Sequence, residues 1–289
     1  MDGFYATRKL AEGYPGLDRL AHEHFVGEQS ARAVDRERVE DLLRLLDRLV
    51  PLEPGQRVCV IGCGPVPRIM RVLEERGFDV AGVEPIPSYV ASANAYLERD
   101  AVHLGAAESI PLESDSQHIL FFESVLEHVE SPLRSLQEIH RVLQPGGIVF
   151  LTTTNRQRIS LTGENGEYNV PFFHWLPRSV QESFVFLHLH YRPSLANYTQ
   201  RPAVHWFSYA DLCALGRQAG FAQFYSPLDL RRRSDVPLTA NPVKRLLLQS
   251  RLLEAIQRSA WLRALALTQL GSNIVMLKRN GAGFTPPVG

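Results

Sequence analysis

Short apolar runs alternate with amphipathic stretches from residue 57 onward. The first run, Arg57–Ile61, is rich in β-branched residues and ends in Gly62-Cys63-Gly64, which predicts a strand buried on both faces. The amphipathic stretch 68–76 then predicts a helix that Gly77 ends. A strand that turns through glycine into a helix exposes backbone N–H groups to a ligand. The pattern indicates a nucleotide-like ligand, and a tight turn without a ligand is the alternative.

The same alternation continues through the middle of the chain. Further strands are predicted at 78–84, 102–104, 118–122 and 148–154, with helices at 89–97 and 132–143. This order predicts a parallel sheet with right-handed crossovers. An amphipathic helix at 34–50 precedes the sheet; a helix that Ser208 caps and Gly220 ends, and a last strand at 273–279, follow it.

An acid ends the second predicted strand. Glu84 follows Gly64 by 20 positions. In doubly wound nucleotide-binding folds, an acid at this point accepts hydrogen bonds from ribose hydroxyls. The spacing makes Glu84 a candidate ligand-binding residue, and a solvated acid at a strand end is the alternative.

Composition narrows the class of protein. The 289 residues are 45% hydrophobic and 21% charged, which suits one large α/β domain with an elaboration. Lys plus Arg and Asp plus Glu number 31 each, so no basic field indicates a nucleic-acid partner.

The cysteines and the apolar segments indicate a compartment. The three cysteines do not have the spacing of a disulfide scaffold, and Cys59 and Cys63 lack the Cys or His partners of a zinc site. The N-terminus has no basic-then-apolar signal, and no apolar run reaches the ~20 residues of a membrane span. We therefore expect a cytoplasmic protein.

Residues 57–154 resemble the core of class I S-adenosylmethionine-dependent methyltransferases that act on small molecules, lipids and sugars. The motifs that carry this resemblance come in the family's order. They are Gly62-Cys63-Gly64, Glu84, Gly105-Ala106-Ala107-Glu108-Ser109-Ile110-Pro111, Val125-Leu126-Glu127-His128-Val129, the helix 138–143 and Pro145-Gly146-Gly147. The resemblance implies a Rossmann-like fold with a mostly parallel seven-stranded sheet and helices on both faces.

The resemblance also implies a cofactor site for S-adenosyl-L-methionine, with S-adenosylhomocysteine as the product. Gly62 and Gly64 would let the backbone pass beside the methionine portion, and Glu84 would bind both ribose hydroxyls. The residues assigned to the cofactor site are Gly62, Cys63, Gly64, Glu84, Pro85, Ala107, Glu108 and Glu123, with Ala107-Glu108 beside the adenine.

Four positions depart from the family pattern. Val60 stands where the first strand usually has an acid, Val66 replaces a third glycine, and Ala106 and His118 each replace an aspartate. These departures motivate an alternative, a catalytically degenerate binding or scaffold protein. A dehydrogenase is a weaker alternative, since the Gly-x-Gly-x-x-Gly fingerprint is incomplete.

Methyl transfer from a sulfonium is an in-line displacement, and an alcohol or phenol nucleophile benefits from a base. His128 follows the fourth predicted strand, at the sheet edge where ligands bind, so we assign it as the catalytic base. A packing role is the alternative for this residue. Glu123, Glu127 and His128 could instead hold Mg²⁺, but no spacing demands it, and we assign no metal.

Four regions are expected. These are an N-terminal helical cover (1–56), the cofactor-binding core (57–154), an aromatic and histidine-rich insertion (155–206), and a C-terminal part (207–289). The insertion covers the acceptor pocket or forms a local mini-core. The amphipathic helix predicted at 243–270 packs on the core, forms a homodimer contact or lies on a membrane surface. We expect O-methylation of a small or glycosylated metabolite in secondary metabolism.

Overall fold

The computed structural model describes residues 36–157, 176–177, 179–180, 205–232, 234–235, 251–268 and 272–279. Several expectations lie outside these ranges. They concern the cover before residue 36, most of the insertion, the stretch 243–250 and the tail after residue 279.

Helices and strands alternate as the hydrophobic pattern predicts. The helices are α1 (Arg36–Leu46), α2 (Arg68–Glu75), α3 (Pro87–Leu97), α4 (Pro132–Val142), α5 (Tyr209–Gln218), α6 (Pro227–Leu230), α7 (Arg251–Arg258) and α8 (Ala260–Leu267). The strands are β1 (Arg57–Ile61), β2 (Asp79–Glu84), β3 (Val102–Leu104), β4 (Gln117–Glu123), β5 (Leu143–Thr153), β6 (Gln223–Tyr225) and β7 (Ser272–Leu277).

The strands form one seven-stranded sheet in the order β3-β2-β1-β4-β5-β7-β6. Strands β3, β2, β1, β4 and β5 are parallel, and β7 is antiparallel to both β5 and β6. This topology confirms the predicted class I fold. Strand order reverses beside β1, and ligands of open α/β sheets bind outside the carboxyl ends of the strands at such a point.

Two apolar layers hold the helices on the sheet. Alternate residues of β4 face opposite layers, with Ile119 and Phe121 on one side and Leu120 and Phe122 on the other. Helices α1, α2 and α3 contribute to the first layer, and α4 and α5 contribute to the second. The two layers fix the strand ends, so the loops that follow β1, β2 and β4 emerge together at one edge.

The boundary between α4 and β5 differs from the prediction. The sequence predicts a turn at Pro145-Gly146-Gly147 before a strand from residue 148, but β5 begins at Leu143, directly after α4. The prolyl-glycyl segment is an irregularity inside this strand, where the register with β4 shifts. Gly146 has φ +81°, and a Cβ on Gly147 would lie 3.0 Å from the carbonyl oxygen of His118. The glycines therefore let β5 approach β4 closely, and they also let the chain change direction.

The prediction of one helix over 243–270 is wrong in the part that the structure describes. Two short helices, α7 and α8, meet at Ser259, whose hydroxyl accepts a hydrogen bond from the Leu262 N–H and so begins a new helix. Leu253 and Leu267 are buried, whereas Trp261 is 69% exposed and Leu265 53%. The pair therefore packs on the core by one side and leaves apolar side chains at the surface.

Among the described residues, no helix combines the length and apolar character needed to cross a bilayer.

Candidate functional site

The glycine turn after β1 forms the centre of the candidate site. Gly62 and Gly64 have φ +67° and +68°, a backbone conformation that favours glycine. A Cβ on Gly62 would lie 2.4 Å from Cγ2 of Val125, in the loop that follows β4. The Gly62 N–H also donates to the carbonyl oxygen of Val83 on β2 (2.7 Å). The turn therefore runs between the ends of β2 and β4 with no room for a side chain at its first glycine.

Glu84 closes one side of the turn. It ends β2, is only 4% exposed, and accepts a hydrogen bond from the Gly64 N–H through Oε2 (3.1 Å). Its Oε1 accepts from the Ile86 N–H (3.3 Å). These two bonds fix the orientation of the carboxylate and join it to the glycine turn. Pro85, which lies between the two bonded segments, is exposed.

Cys63 contributes to the turn through its backbone, because its side chain is buried in the apolar layer of β1 and α2. A Cβ on Gly82 would lie 3.0 Å from its Sγ. Burial, with smaller effects from Glu84 and Cys59, raises the pKa of the Cys63 thiol. A neutral thiol is a poor nucleophile, so Cys63 is a packing residue within the turn.

The Ala107-Glu108 segment lies against the start of α4. Ala107 is buried in the second apolar layer. Glu108 Oε1 accepts from the N–H groups of Glu130 (2.8 Å) and Ser131 (3.3 Å), at the N-terminus of α4. A carboxylate is favoured there by the free N–H groups and the helix dipole. The Glu108 side chain therefore joins the segment to the start of α4.

Glu123 closes the opposite side of the turn. It ends β4, and its Oε2 accepts from Nη1 of Arg38 on α1 (2.9 Å). Its Oε1 is buried and has no hydrogen-bond partner in the described part of the chain. Glu123 is one of the predicted cofactor-site residues, whereas no local signal in the sequence selects Arg38.

The loop after β4 carries Glu127 and His128, both buried. The Thr153 hydroxyl donates to Glu127 Oε2 (2.8 Å), and the His205 N–H donates to the Glu127 carbonyl (3.2 Å). His205 Nε2 lies 3.0 Å from the Val129 carbonyl oxygen. The loop that carries the proposed base is thus held by the end of β5 and by the residues that precede α5.

Burial raises the pKa of Glu127 to about 7, against smaller opposing effects of hydrogen bonds to Thr153 and Thr154. Glu127 is predicted from sequence only as part of the Val125–Val129 motif and as a possible metal ligand, and no sequence signal points to its contacts with Thr153 and His205. Among the described residues, Glu123, Glu127 and His128 do not assemble into a metal-binding group, since no group of three such side chains is arranged for one. Glu123 faces Arg38 instead, and Glu127 faces Thr153.

Part of the chain is similar in sequence to known methyltransferases. Residues 59–151 match the family described as a methyltransferase domain. A Mycobacterium tuberculosis protein described as an uncharacterized methyltransferase is 35% identical over 123 residues, 42% of this chain and 49% of its own length. The (+)-O-methylkolavelool synthase of Herpetosiphon aurantiacus is 32% identical over 46% of this chain and 49% of its own length.

A solved structure extends the likeness of fold beyond the matched segment. A chain in the complex of the Haloferax volcanii Trm112 methyltransferase activator superposes with a TM-score of 0.50 at 17% identity, over 93% of this chain and 98% of that one. The chain spans about half the length of the curated relatives it matches. Residues 59–151 thus match the methyltransferase-domain family, and the strand order of the sheet is that of the class I methyltransferase fold.

Proposed function

We propose that this chain transfers a methyl group from S-adenosylmethionine to an oxygen atom of a small-molecule acceptor. One observation carries the proposal. The buried carboxylate of Glu84 accepts a hydrogen bond from Gly64, so the acid of β2 and the turn after β1 form one site. An oriented carboxylate beside bare backbone suits a ligand that has vicinal hydroxyls at one end and close backbone contacts along its length.

The residues present fit such a ligand. A carboxylate has about four acceptor positions, so Glu84 can accept from ribose hydroxyls as well as from backbone N–H groups. Gly62 and Gly64 would contact the methionine portion, and the segment at Ala107 would contact the adenine. The bound cofactor supplies an electrophilic methyl group on a sulfonium sulfur.

The chain's own residues would hold the acceptor in line and receive its proton. His128 is the proposed base, because an imidazole can take a proton from a hydroxyl at neutral pH. The Thr153 hydroxyl and the His205 N–H hold Glu127, the preceding residue, and so position the loop that carries His128. Alignment of acceptor oxygen and methyl group supplies most of the remaining rate enhancement.

The names of two relatives support oxygen as the acceptor atom. One is the (+)-O-methylkolavelool synthase, and the other is a ubiquinone biosynthesis O-methyltransferase of Azorhizobium caulinodans, 29% identical over 46% of this chain and 53% of its own length. We propose a small or glycosylated metabolite of secondary metabolism as the acceptor. Three free, buried cysteines support a reducing, cytoplasmic compartment.

Calorimetric titration tests the cofactor. S-adenosylmethionine and S-adenosylhomocysteine should each bind with micromolar affinity, and NADH should not bind. Glu84→Ala is the matched variant and should weaken both adenosyl ligands. Binding of NADH alone would overturn the proposal.

A panel of phenols, alcohols, glycosides and amines tests the acceptor class. With S-adenosylmethionine present, S-adenosylhomocysteine should form only with oxygen nucleophiles, and turnover only with amines would contradict O-methylation. A binding or scaffold protein is the second candidate, because Val60 is packed in the apolar layer where the family usually has an acid. Absence of binding to both adenosyl ligands would favour that candidate.

A further inference from the structure

Residues 205–208 lie along the end of β5 and lead into α5. The Phe207 N–H donates to the carbonyl oxygen of Thr154 (3.4 Å), and the Phe207 carbonyl oxygen accepts from the Arg156 N–H (3.2 Å). Ser208 then caps α5 and forms a capping box with its first turn. The sheet and α5 together therefore fix the position of this short segment.

The first residue of the segment, His205, contacts the loop after β4 at two points. Its backbone N–H donates to the carbonyl oxygen of Glu127 (3.2 Å), and Nε2 of its ring lies 3.0 Å from the carbonyl oxygen of Val129. Because a carbonyl oxygen only accepts, Nε2 carries the hydrogen of this bond. The ring is buried, so its hydrogen bond is shielded from water. The two acceptors belong to the residues immediately before and after His128.

The peptide group that joins Glu127 to His128 is held at both ends. Its carbonyl oxygen accepts from the backbone of His205, and its N–H donates to the carbonyl oxygen of Val125 (2.9 Å). A buried peptide group whose donor and acceptor are both bonded loses hydrogen bonds if it rotates. The backbone on the N-terminal side of His128 is therefore fixed.

The peptide group that joins Val129 to Glu130 is held in the same way. Its carbonyl oxygen accepts from the ring of His205, and its N–H donates to Oε1 of Glu108 (2.8 Å). His205 thus supplies one donor to each of two peptide groups, and the stretch of chain between these groups carries the His128 side chain.

We propose that His205 is a positioning residue, whose ring holds the His128 imidazole in place through the backbone of the loop. The inference rests on the proposed function, in which His128 takes the proton of the acceptor. A base must lie within hydrogen-bond reach of that proton, and a displacement of about 1 Å can lower turnover about 100-fold. His205 acts on the loop and not on the acceptor itself.

Two substitutions test the ring and leave the backbone N–H of His205 in place. His205→Leu keeps bulk without a donor, and His205→Gln keeps an N–H donor at about the reach of Nε2. The first should lower kcat about tenfold or more, with the acceptor KM and the affinity for S-adenosylhomocysteine within about twofold. The second should keep kcat within about threefold of the wild-type value. Equal loss of kcat in the two variants, or a parallel loss of cofactor affinity, would overturn the inference.

His140→Leu is the matched control. His140 lies in the last turn of α4, at the opposite end of the sheet, and its ring packs edge-on against Phe221 with 5.1 Å between centroids. This variant should change neither kcat nor cofactor affinity, and thermal unfolding of all variants reports on folding. A loss of kcat as large as that in His205→Leu would show that the effect is not local and would overturn the inference.

A double variant tests whether His205 acts through His128. Adding His205→Leu to His128→Ala should lower turnover no further, because no base remains to be positioned. A second loss of about tenfold would overturn the inference.

Hydrogen exchange tests the loop without turnover. In His205→Leu, the His128 N–H should exchange about tenfold faster than in the wild-type protein, because the loop opens more often. Unchanged exchange would overturn the inference, whatever the acceptor is. If the wild-type protein methylates no compound of the acceptor panel, the proposed function itself is wrong.

Discussion

The two halves of the candidate site are built by different means. At β1 and β2, Glu84 is held by backbone N–H groups of Gly64 and Ile86, both within about one βαβ unit of it. At the ends of β4 and β5, Glu127 and the loop that carries His128 are held by distant parts of the chain, namely Thr153 and His205. Under the proposed function, the first half binds the cofactor largely through backbone, and the second, the acceptor half, depends on side-chain identity.

Removal of the proposed base in the acceptor half should give the largest effect, and this effect should be on turnover alone. His128→Ala is expected to lower turnover about 10²-fold or more, because a positioned base contributes on that scale. Affinity for S-adenosylhomocysteine should not change. Turnover with the acceptor found in the panel, with and without added imidazole, is the measurement. Partial rescue by imidazole supports the base, and wild-type turnover in the variant would return His128 to a packing role.

Removal of Glu84, the acid that ends β2, should weaken binding of the cofactor. Glu84→Ala should weaken S-adenosylhomocysteine by several-fold to about a hundredfold, since a hydrogen bond to a charged group contributes about 1.5–3 kcal/mol. Glu138→Ala is the matched control, because the Glu138 carboxylate also accepts from a backbone N–H group, that of Ile110, and is not among the proposed cofactor-site residues. Calorimetric titration measures both. Equal loss in the two variants would show that the effect comes through folding, and unchanged affinity would remove Glu84 from the site.

The glycine turn can be tested by adding one methyl group. Gly62→Ala should lower the free energy of unfolding by about 1–3 kcal/mol through backbone strain, with a further cost from contact with Val125. Gly55→Ala is the control, because Gly55 has φ +84° and nothing within 4 Å of an added Cβ. Denaturant unfolding of both variants isolates the contact. Equal destabilisation by the two substitutions would mean that the loop after β4 moves to accommodate the added methyl group at no cost in stability.

The dependence of stability on pH tests the buried acid of the acceptor half, Glu127. The pKa of Glu127 is about 7 in the folded protein, above its usual value near 4.5, because of burial. The folded state therefore binds more protons than the unfolded state between these values, and stability falls as pH rises from about 4.5 to about 7. Glu127→Gln keeps an acceptor for Thr153 and should remove about 1–3 kcal/mol of this loss. Unfolding at several pH values measures it.

Glu75→Gln provides the comparison for that series, since the Glu75 side chain is 50% exposed in a surface ion pair. Such pairs contribute little to stability, and this variant should keep the wild-type dependence on pH. A wild-type slope in Glu127→Gln would show that another group titrates in this range.

Most of the core fold was predictable because its signals are local. β-Branched runs, glycine stops and the capping residue Ser208 act within a few residues, and the structure confirms the elements that they predict. The capping box at Ser208 and Asp211 is one such signal. The errors lie where two local signals compete. Leucine spacing predicted one long C-terminal helix, and the cap at Ser259 divides it within the described residues.

The candidate site was predictable only in part. Gly62, Gly64 and Glu84 have fixed spacing along the chain, and the structure brings them together as expected. The partners of Glu123 and Glu127 have no such spacing. Arg38 was one of several arginines on an amphipathic helix, and nothing in its neighbourhood distinguished it from Arg36 or Arg44.

The amino-acid sequence by itself determined the order of strands and helices, the glycine turn and the acid that follows it, because each depends on residues near one another in the chain. Tertiary structure alone decided which polar side chains meet. Arg38 and Glu123 are 85 positions apart, and Glu127 and Thr153 are 26 positions apart. Contacts of this kind depend on strand register and helix packing, which become defined only when the two apolar layers close on the sheet.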